Sequence, residues 1–191
     1  MGYFANAGMI LIEVIFGLLI GLFVLRVLLQ LVRANFYNPI CQFFYRATNP
    51  VLMPLRRALP PWRSLDTAGT AVAWLLAALK VWVQYALAGL TLGLAATLVL
   101  SVAEILSLLI SLFFWLILIR VILSFIQSDS YHPAVPLLMQ LTEPVLAPIR
   151  RMIPGGGPFD FSPLIATLAL MLARVLLLAP LEDLGVMLAR G

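Results

Sequence analysis

Along the chain, long apolar runs alternate with two shorter stretches where arginine, proline and polar residues collect. A membrane-crossing helix needs about 20 predominantly apolar residues. Four runs reach that length, at residues 9–32, 68–88, 102–126 and 163–181. The apolar stretch 89–101 is too short for a fifth span at about 1.5 Å per residue. It is expected to extend the second helix and then turn, with Gly89 and Gly93 as the turn or close-packing positions. The polar-rich stretches 33–67 and 127–162 are the loops.

Within the loops the apolar spacing turns amphipathic. Thr142 or Glu143 can cap a short helix that has Pro144 in its first turn. Val145, Leu146, Ile149 and Ile153 then share one face, with Arg150 and Arg151 beside it. Such a helix would lie on the membrane interface. A further short helix is expected from Pro133 to about residue 141, with a counterpart at 39–47. Ser162 and Pro163 read as a cap and first turn opening the fourth span, leaving Asp160 to accept from an arginine.

Composition agrees with this pattern. Of 191 residues, 63% are apolar and 10% charged, against about 45–50% and 25% in soluble domains. That excludes a soluble enzyme, a disordered chain and a disulfide scaffold, and the single cysteine, Cys41, cannot form an internal disulfide. The formal charge of +4 reads as membrane topology and not as nucleic-acid binding. Arg33, Arg46, Arg56, Arg57 and Arg63 lie in the first loop and Arg150 and Arg151 in the second, while the opposite ends hold only Arg190. Positive charge marks the cytoplasmic side. Both loops are therefore expected in the cytoplasm and both termini outside. The N-terminus has no basic residue before its apolar run and reads as a retained helix, not a cleaved signal.

The two halves repeat at a constant offset of 94 residues, and 15 of the 45 positions from Leu22 to Asp66 are identical in the second copy. Arg26 pairs with Arg120, Tyr37 with Tyr131, Pro39 with Pro133, Thr48 with Thr142, Asp66 with Asp160 and Lys80 with Arg174. NPVLMPLRRALP, ending at Pro60, pairs with EPVLAPIRRMIP, which carries Pro144, Pro148 and Pro154. Shared apolar composition would not match Pro, Arg, Thr and Asp in one register. The expected fold is therefore an all-α integral membrane protein of four transmembrane helices. These form two parallel helix–loop–helix repeats, residues 1–94 and 95–191.

The matched residues carry a resemblance. TEPVLAPIRRMIP from Thr142, followed by DFSP from Asp160 and preceded by Arg120 and Pro133, resembles the signature of the YggT family, small bacterial inner-membrane proteins with chloroplast YlmG-type relatives. The first unit departs from the pattern: Asn49 replaces the Glu, and Thr-Ala-Gly follows Asp66. The resemblance implies a multi-pass inner-membrane protein without an established molecular activity. It also implies links to envelope or osmotic stress tolerance and, through the plastid relatives, to membrane assembly.

Charges inside spans cost about 2.5–3.5 kcal/mol each on insertion scales, so they need partners. Arg26 and Arg120 lie near the loop ends of their helices and are expected to reach Asp66 and Asp160. Glu13 and Lys80 lie at similar depth from the opposite edge and are expected to pair, leaving Arg174 to seek Glu104. Arg56, Arg57, Arg150 and Arg151 are candidates for anionic headgroups, a protein partner, or pairing with Asp66 and Asp160. Gly17 and Gly21 offer a close-packing face, compatible with a homo-oligomer. His132, aligned with Asn38, reads as a helix cap, and Cys41 as a packing thiol. The residues show no catalytic set, cofactor loop, metal cluster or nucleic-acid module. The leading expectation is a non-enzymatic membrane protein with a paired basic platform; a channel or transporter for ions or osmolytes is the alternative.

Overall fold

The computed structural model describes residues 3–125, 132–152 and 160–190. Helix α1 spans Tyr3–Leu31, α2 Pro39–Leu55, α3 Thr67–Leu87, α4 Leu94–Phe125, α5 Ala134–Met152 and α6 Ser162–Ala173. A π-helical turn, Arg174–Leu178, joins α6 to α7, Ala179–Arg190. Among the described residues four helices are long and apolar enough to cross a membrane: Asn6–Leu31, Thr67–Leu87, Leu94–Ser124 and Ser162–Arg190. The fourth is longer than its apolar run suggests, because α7 continues it on a mixed surface.

The segment after α3 differs from expectation. The α3 helix ends at Leu87, and Gly89 takes φ +74° while Leu90 N donates back to Tyr85 O at 2.9 Å. This left-handed stop is the conformation glycine adopts without steric cost. Residues 94–101 then belong to α4 and not to an extended second helix.

Helix α3 packs against α1 on one side and α4 on the other, and α4 also packs against α6 and α7. Ile20, Phe23 and Val24 of α1 meet Ala68, Val72, Ala73 and Ala77 of α3, with Leu52 of α2 beneath. Small residues on α3 allow this close approach. A Cβ at Gly69 would stand 2.9 Å from Val27 Cγ2.

Each loop holds one continuous helix, not two short ones. Pro50 and Pro54 lie inside α2, and Pro144 and Pro148 inside α5. All four prolines are on exposed turns, so the backbone bonds they forgo are on the outer face. The inner face continues across them: Cys41, Thr48 and Leu52 are buried on α2, and Leu138, Thr142 and Leu146 on α5. Thr142 and Glu143 are thus interior residues, not caps. The Thr142 hydroxyl donates to Leu138 O at 2.8 Å, as Thr48 does to Phe44 O at 2.7 Å.

The two loop helices come together. Leu29, Ala34 and Cys41 of the first unit form one apolar cluster with Leu137 and Leu141 of the second, with Leu116 of α4 packed against it. Asn38 Nδ2 donates to Pro133 O at 2.6 Å. The chain therefore leaves α1 and α4 at the same end of the bundle, which makes the two repeats parallel.

Candidate functional site

The loop end carries an ion-pair chain built from the repeated motif. In the second unit Arg120 Nη1 donates to Thr142 Oγ1 at 2.7 Å and to Glu143 Oε2 at 3.1 Å. The other oxygen, Glu143 Oε1, accepts from Arg150 Nη1 at 3.0 Å, and Arg150 continues to Asp160 Oδ2 at 3.0 Å. The chain ties α4, α5 and the start of α6 together. Asp160 Oδ1 accepts from Ser162 N at 2.9 Å. Hydrogen bonds from Ser162, then the Arg150 guanidinium, hold the Asp160 carboxyl below the usual carboxylate range.

Two expectations are corrected here. Arg120 pairs with Glu143 and not Asp160, because α5 passes directly under the end of α4 and Arg150 has already taken Asp160. Ser162 is not a side-chain cap. It is the first residue of α6, with Pro163 behind it, and Asp160 satisfies its N–H. Pro154 lies outside the described residues.

The first unit keeps half of this chain. Arg56 Nη2 donates to the fully buried Asp66 at 2.6 Å, and Asp66 also caps α3 by accepting from Gly69 N at 3.3 Å. Arg26 does not pair with Asp66 as expected. It is 2% exposed, with its guanidinium carbon 4.5 Å from the centre of the Tyr45 ring. Its Nε has no hydrogen-bond partner among the described residues. Arg56 already holds Asp66, and Asn49 stands where the second unit has the carboxylate of Glu143. Arg57 and Arg151 are exposed and form no ion pair with a described residue, whereas Arg56 and Arg150 do.

A second polar cluster lies inside the spans. Lys80 is 1% exposed and donates to Glu13 Oε1 at 2.8 Å, the pair that matched depth predicts. It also donates to Glu104 Oε1 at 2.6 Å, so Glu104 is held by Lys80 and not by Arg174. Gln84 Nε2 donates to the second Glu13 oxygen at 3.0 Å. The cluster joins α1, α3 and α4 across the two units. A cavity of about 260 Å³ beside it is lined by Gln84, Tyr85, Glu104 and Glu182. Arg174 instead opens the π turn, exposed, with no ion pair to a described residue.

The remaining residues play local parts. Asn38 Oδ1 accepts from Ile40 N at 2.9 Å, and His132 Nδ1 accepts from Ala134 N at 3.3 Å, the same cap geometry in both repeats. Cys41 is buried, and burial pushes its thiol up. A Cβ at Gly17 or Gly21 would meet nothing within 4 Å, so no described part of the chain packs against these two positions. Sequence reasoning missed Gln84, Tyr45 and the second role of Glu104. The glutamine and tyrosine have no charge to attract notice, and the Glu104 contact crosses between units.

Fold, parallel repeats and paired loop helices define a multi-pass, all-helical protein of duplicated membrane type. The CCB3/YggT family profile matches residues 5–87 and again 99–181, once per repeat. An uncharacterized protein of Vibrio alginolyticus is 40% identical over 174 residues, 90% of this chain and 94% of that one. An uncharacterized protein of Pseudomonas aeruginosa is 37% identical over 175 residues, 91% of this chain and 89% of that one. The Escherichia coli K12 protein named YggT, also called uncharacterized, is 34% identical over 167 residues, 87% of each chain. The chain belongs to the CCB3/YggT family. No solved structure matches it.

Proposed function

We propose that this protein is a non-enzymatic component of the bacterial inner membrane that holds a paired, basic, amphipathic layer against anionic lipid and supports the envelope under osmotic stress. Both termini are periplasmic in this reading, and α2 and α5 lie at the cytoplasmic surface. The carrying observation is the composition of the outer faces of the loop segments. Phe43, Val51 and Met53 are exposed on α2 and Met139 and Met152 on α5, beside Arg46, Arg57 and Arg151. Trp62 is also exposed, with Arg63 against its ring at 5.8 Å. Apolar and basic side chains on one surface suit the headgroup boundary. Each arginine near an anionic surface contributes about 1 kcal/mol.

In this reading the platform is narrower than the four arginines at residues 56, 57, 150 and 151. Arg56 and Arg150 serve internal pairs, so Arg57 and Arg151, with Arg46 and Arg63, face outward. Native membrane discs cut out around the protein by an amphipathic polymer are expected to hold a larger share of phosphatidylglycerol than the bulk membrane. Replacing Arg46, Arg57, Arg63 and Arg151 by Gln should remove the excess and lower growth at high osmolarity. An unchanged lipid share and unchanged growth, with the variant correctly inserted, would sink the proposal.

One observation favours a second reading, an oligomeric channel or transporter. The Lys80 cluster places three charges within the spans, and Arg174 sits mid-span with no ion pair to a described residue. Ion or osmolyte flux in proteoliposomes that is lost in Lys80→Met would support it. Silence across both would count against it.

A further inference from the structure

The two repeats differ in charge at their loop ends, and the difference marks a site. In the second unit Arg120 and Arg150 face Glu143 and Asp160, so the chain of pairs is neutral. In the first unit Arg26 and Arg56 share only Asp66, because Asn49 replaces the glutamate. The charges acting on Arg26 are Arg56 and Asp66, and Arg56 already holds Asp66 at 2.6 Å. One positive charge is therefore left uncompensated on a side chain that is 2% exposed and has an unpartnered Nε. Burying a guanidinium without its full set of partners is costly, so a nearby anion would stabilise it.

The surroundings indicate which anion. Tyr45 covers the guanidinium and also lines a cavity of about 560 Å³ together with Phe36, Gln42 and Arg46. A second hollow of about 500 Å³ runs on from it along α2, past Gln42 and Arg46 to Phe43 and Ala47. Arg46 is exposed and forms no ion pair with a described residue. The groove thus offers a cationic centre, an amide, a phenol and an aromatic wall on a helix at the end of the membrane spans. A phosphate ester with an apolar tail matches each part: the phosphate meets the arginines and the tail lies along the phenylalanines.

We propose that the first unit binds one anionic phospholipid, with its phosphate on Arg46 in the groove and facing, across the Tyr45 ring, the buried Arg26 charge that Glu143 would neutralise in the second unit. This deepens the lipid reading above by naming a single stoichiometric site, and it rests on that reading.

The test is native mass spectrometry of the detergent-purified full-length protein supplied with phosphatidylglycerol or with phosphatidylcholine. One phosphatidylglycerol is expected to stay bound, in preference to phosphatidylcholine. Asn49→Glu gives Arg26 an internal carboxylate and should weaken retention by about tenfold or more. Arg46→Gln should weaken it as well, and Glu143→Asn should leave the count at one, because Met139 and Gln140 stand where Tyr45 and Arg46 stand in the first unit. Asn49→Glu keeps the second unit's own residue pattern, so its folding is checked by a melting temperature that is not lowered. Soluble glycerol phosphate at equal concentration should not displace the lipid; displacement would overturn the assignment to lipid. Retention that is equal for both lipids, or indifferent to Asn49→Glu, would overturn the site. The excess of phosphatidylglycerol in native discs tests the broader platform separately when it is read in a variant that replaces Arg57, Arg63 and Arg151 by Gln and keeps Arg46 and Asn49.

Discussion

Lys80 is the residue on which the interior of the bundle depends. It is buried to 1% exposure and answers two carboxylates at once. Lys80→Met would leave Glu104, whose side chain is mostly buried, without its counter-ion, and the expected loss is about 3–5 kcal/mol. The two glutamates should differ. The Glu13 side chain is 61% exposed and the Glu104 side chain 23%, so Glu104→Gln should lower the melting temperature more than Glu13→Gln. Equal effects would mean that depth in the bundle does not set the strength of these pairs. The Glu13–Lys80 pair was legible in the sequence because both residues lie at one depth in one unit. Glu104 was not, because nothing along the chain says that α3 of one unit packs on α4 of the next.

Asp160 supplies a prediction in pH at the same scale. Its folded carboxyl is held low by Ser162 and Arg150. A depressed carboxylate contributes stability that is fully present above its unfolded value of about 3.9 and is lost as pH falls through the lower folded value. A melting-temperature profile should therefore fall below about pH 4. In Asp160→Asn part of that acid limb should be missing, while the difference between the two proteins stays constant at neutral pH.

At the scale of elements, the helices were readable and their joints were not. Apolar length alone located all four spans. The π turn at Arg174–Leu178 and the continuation into α7 have no such signal, since Glu182 and Asp183 interrupt the apolar run without ending the helix. The prolines in α2 and α5 misled in the opposite direction. Proline suits a first turn, but here the burial of Thr142 and Leu146 carries one helix straight through Pro144. Glycines at helix contacts give a check on the packing. Gly69→Ala would press its Cβ to 2.9 Å from Val27 on α1, an overpacking expected to cost about 1–3 kcal/mol. Gly17→Ala and Gly21→Ala meet open space and should be neutral or gain about 0.5–1 kcal/mol through helix propensity. A loss of stability only in the oligomeric form would instead place that face between copies of the chain.

At the scale of the whole molecule, duplication explains what is shared and where the halves diverge. Thr48 and Thr142, Leu52 and Leu146, and the Asp66 and Asp160 pairs occupy equivalent places, as the 94-residue register requires. The repeat could not say that Asn38 would meet Pro133, which brings the loop helices into one layer. It did mark Asn49 as the departure that leaves Arg26 without a carboxylate. With Cys41 replaced by Ala, single cysteines at Arg57 and Arg151 should react with a membrane-impermeant maleimide only from the cytoplasmic side, and one at Gly93 only from the periplasmic side. Labelling of all three from one side would contradict the four-span topology.

The central claim is that the loop layer meets anionic lipid, and Trp62 is placed to report it. It is 69% exposed and adjoins Arg63. In a protein that keeps Trp62 as its single tryptophan, with Trp74, Trp82 and Trp115 replaced by Phe, brominated phosphatidylglycerol should quench fluorescence more than brominated phosphatidylcholine at equal mole fraction. The difference should shrink with added salt and vanish when Arg46, Arg57, Arg63 and Arg151 are replaced by Gln. Equal quenching by the two lipids in the unaltered loops would contradict the account.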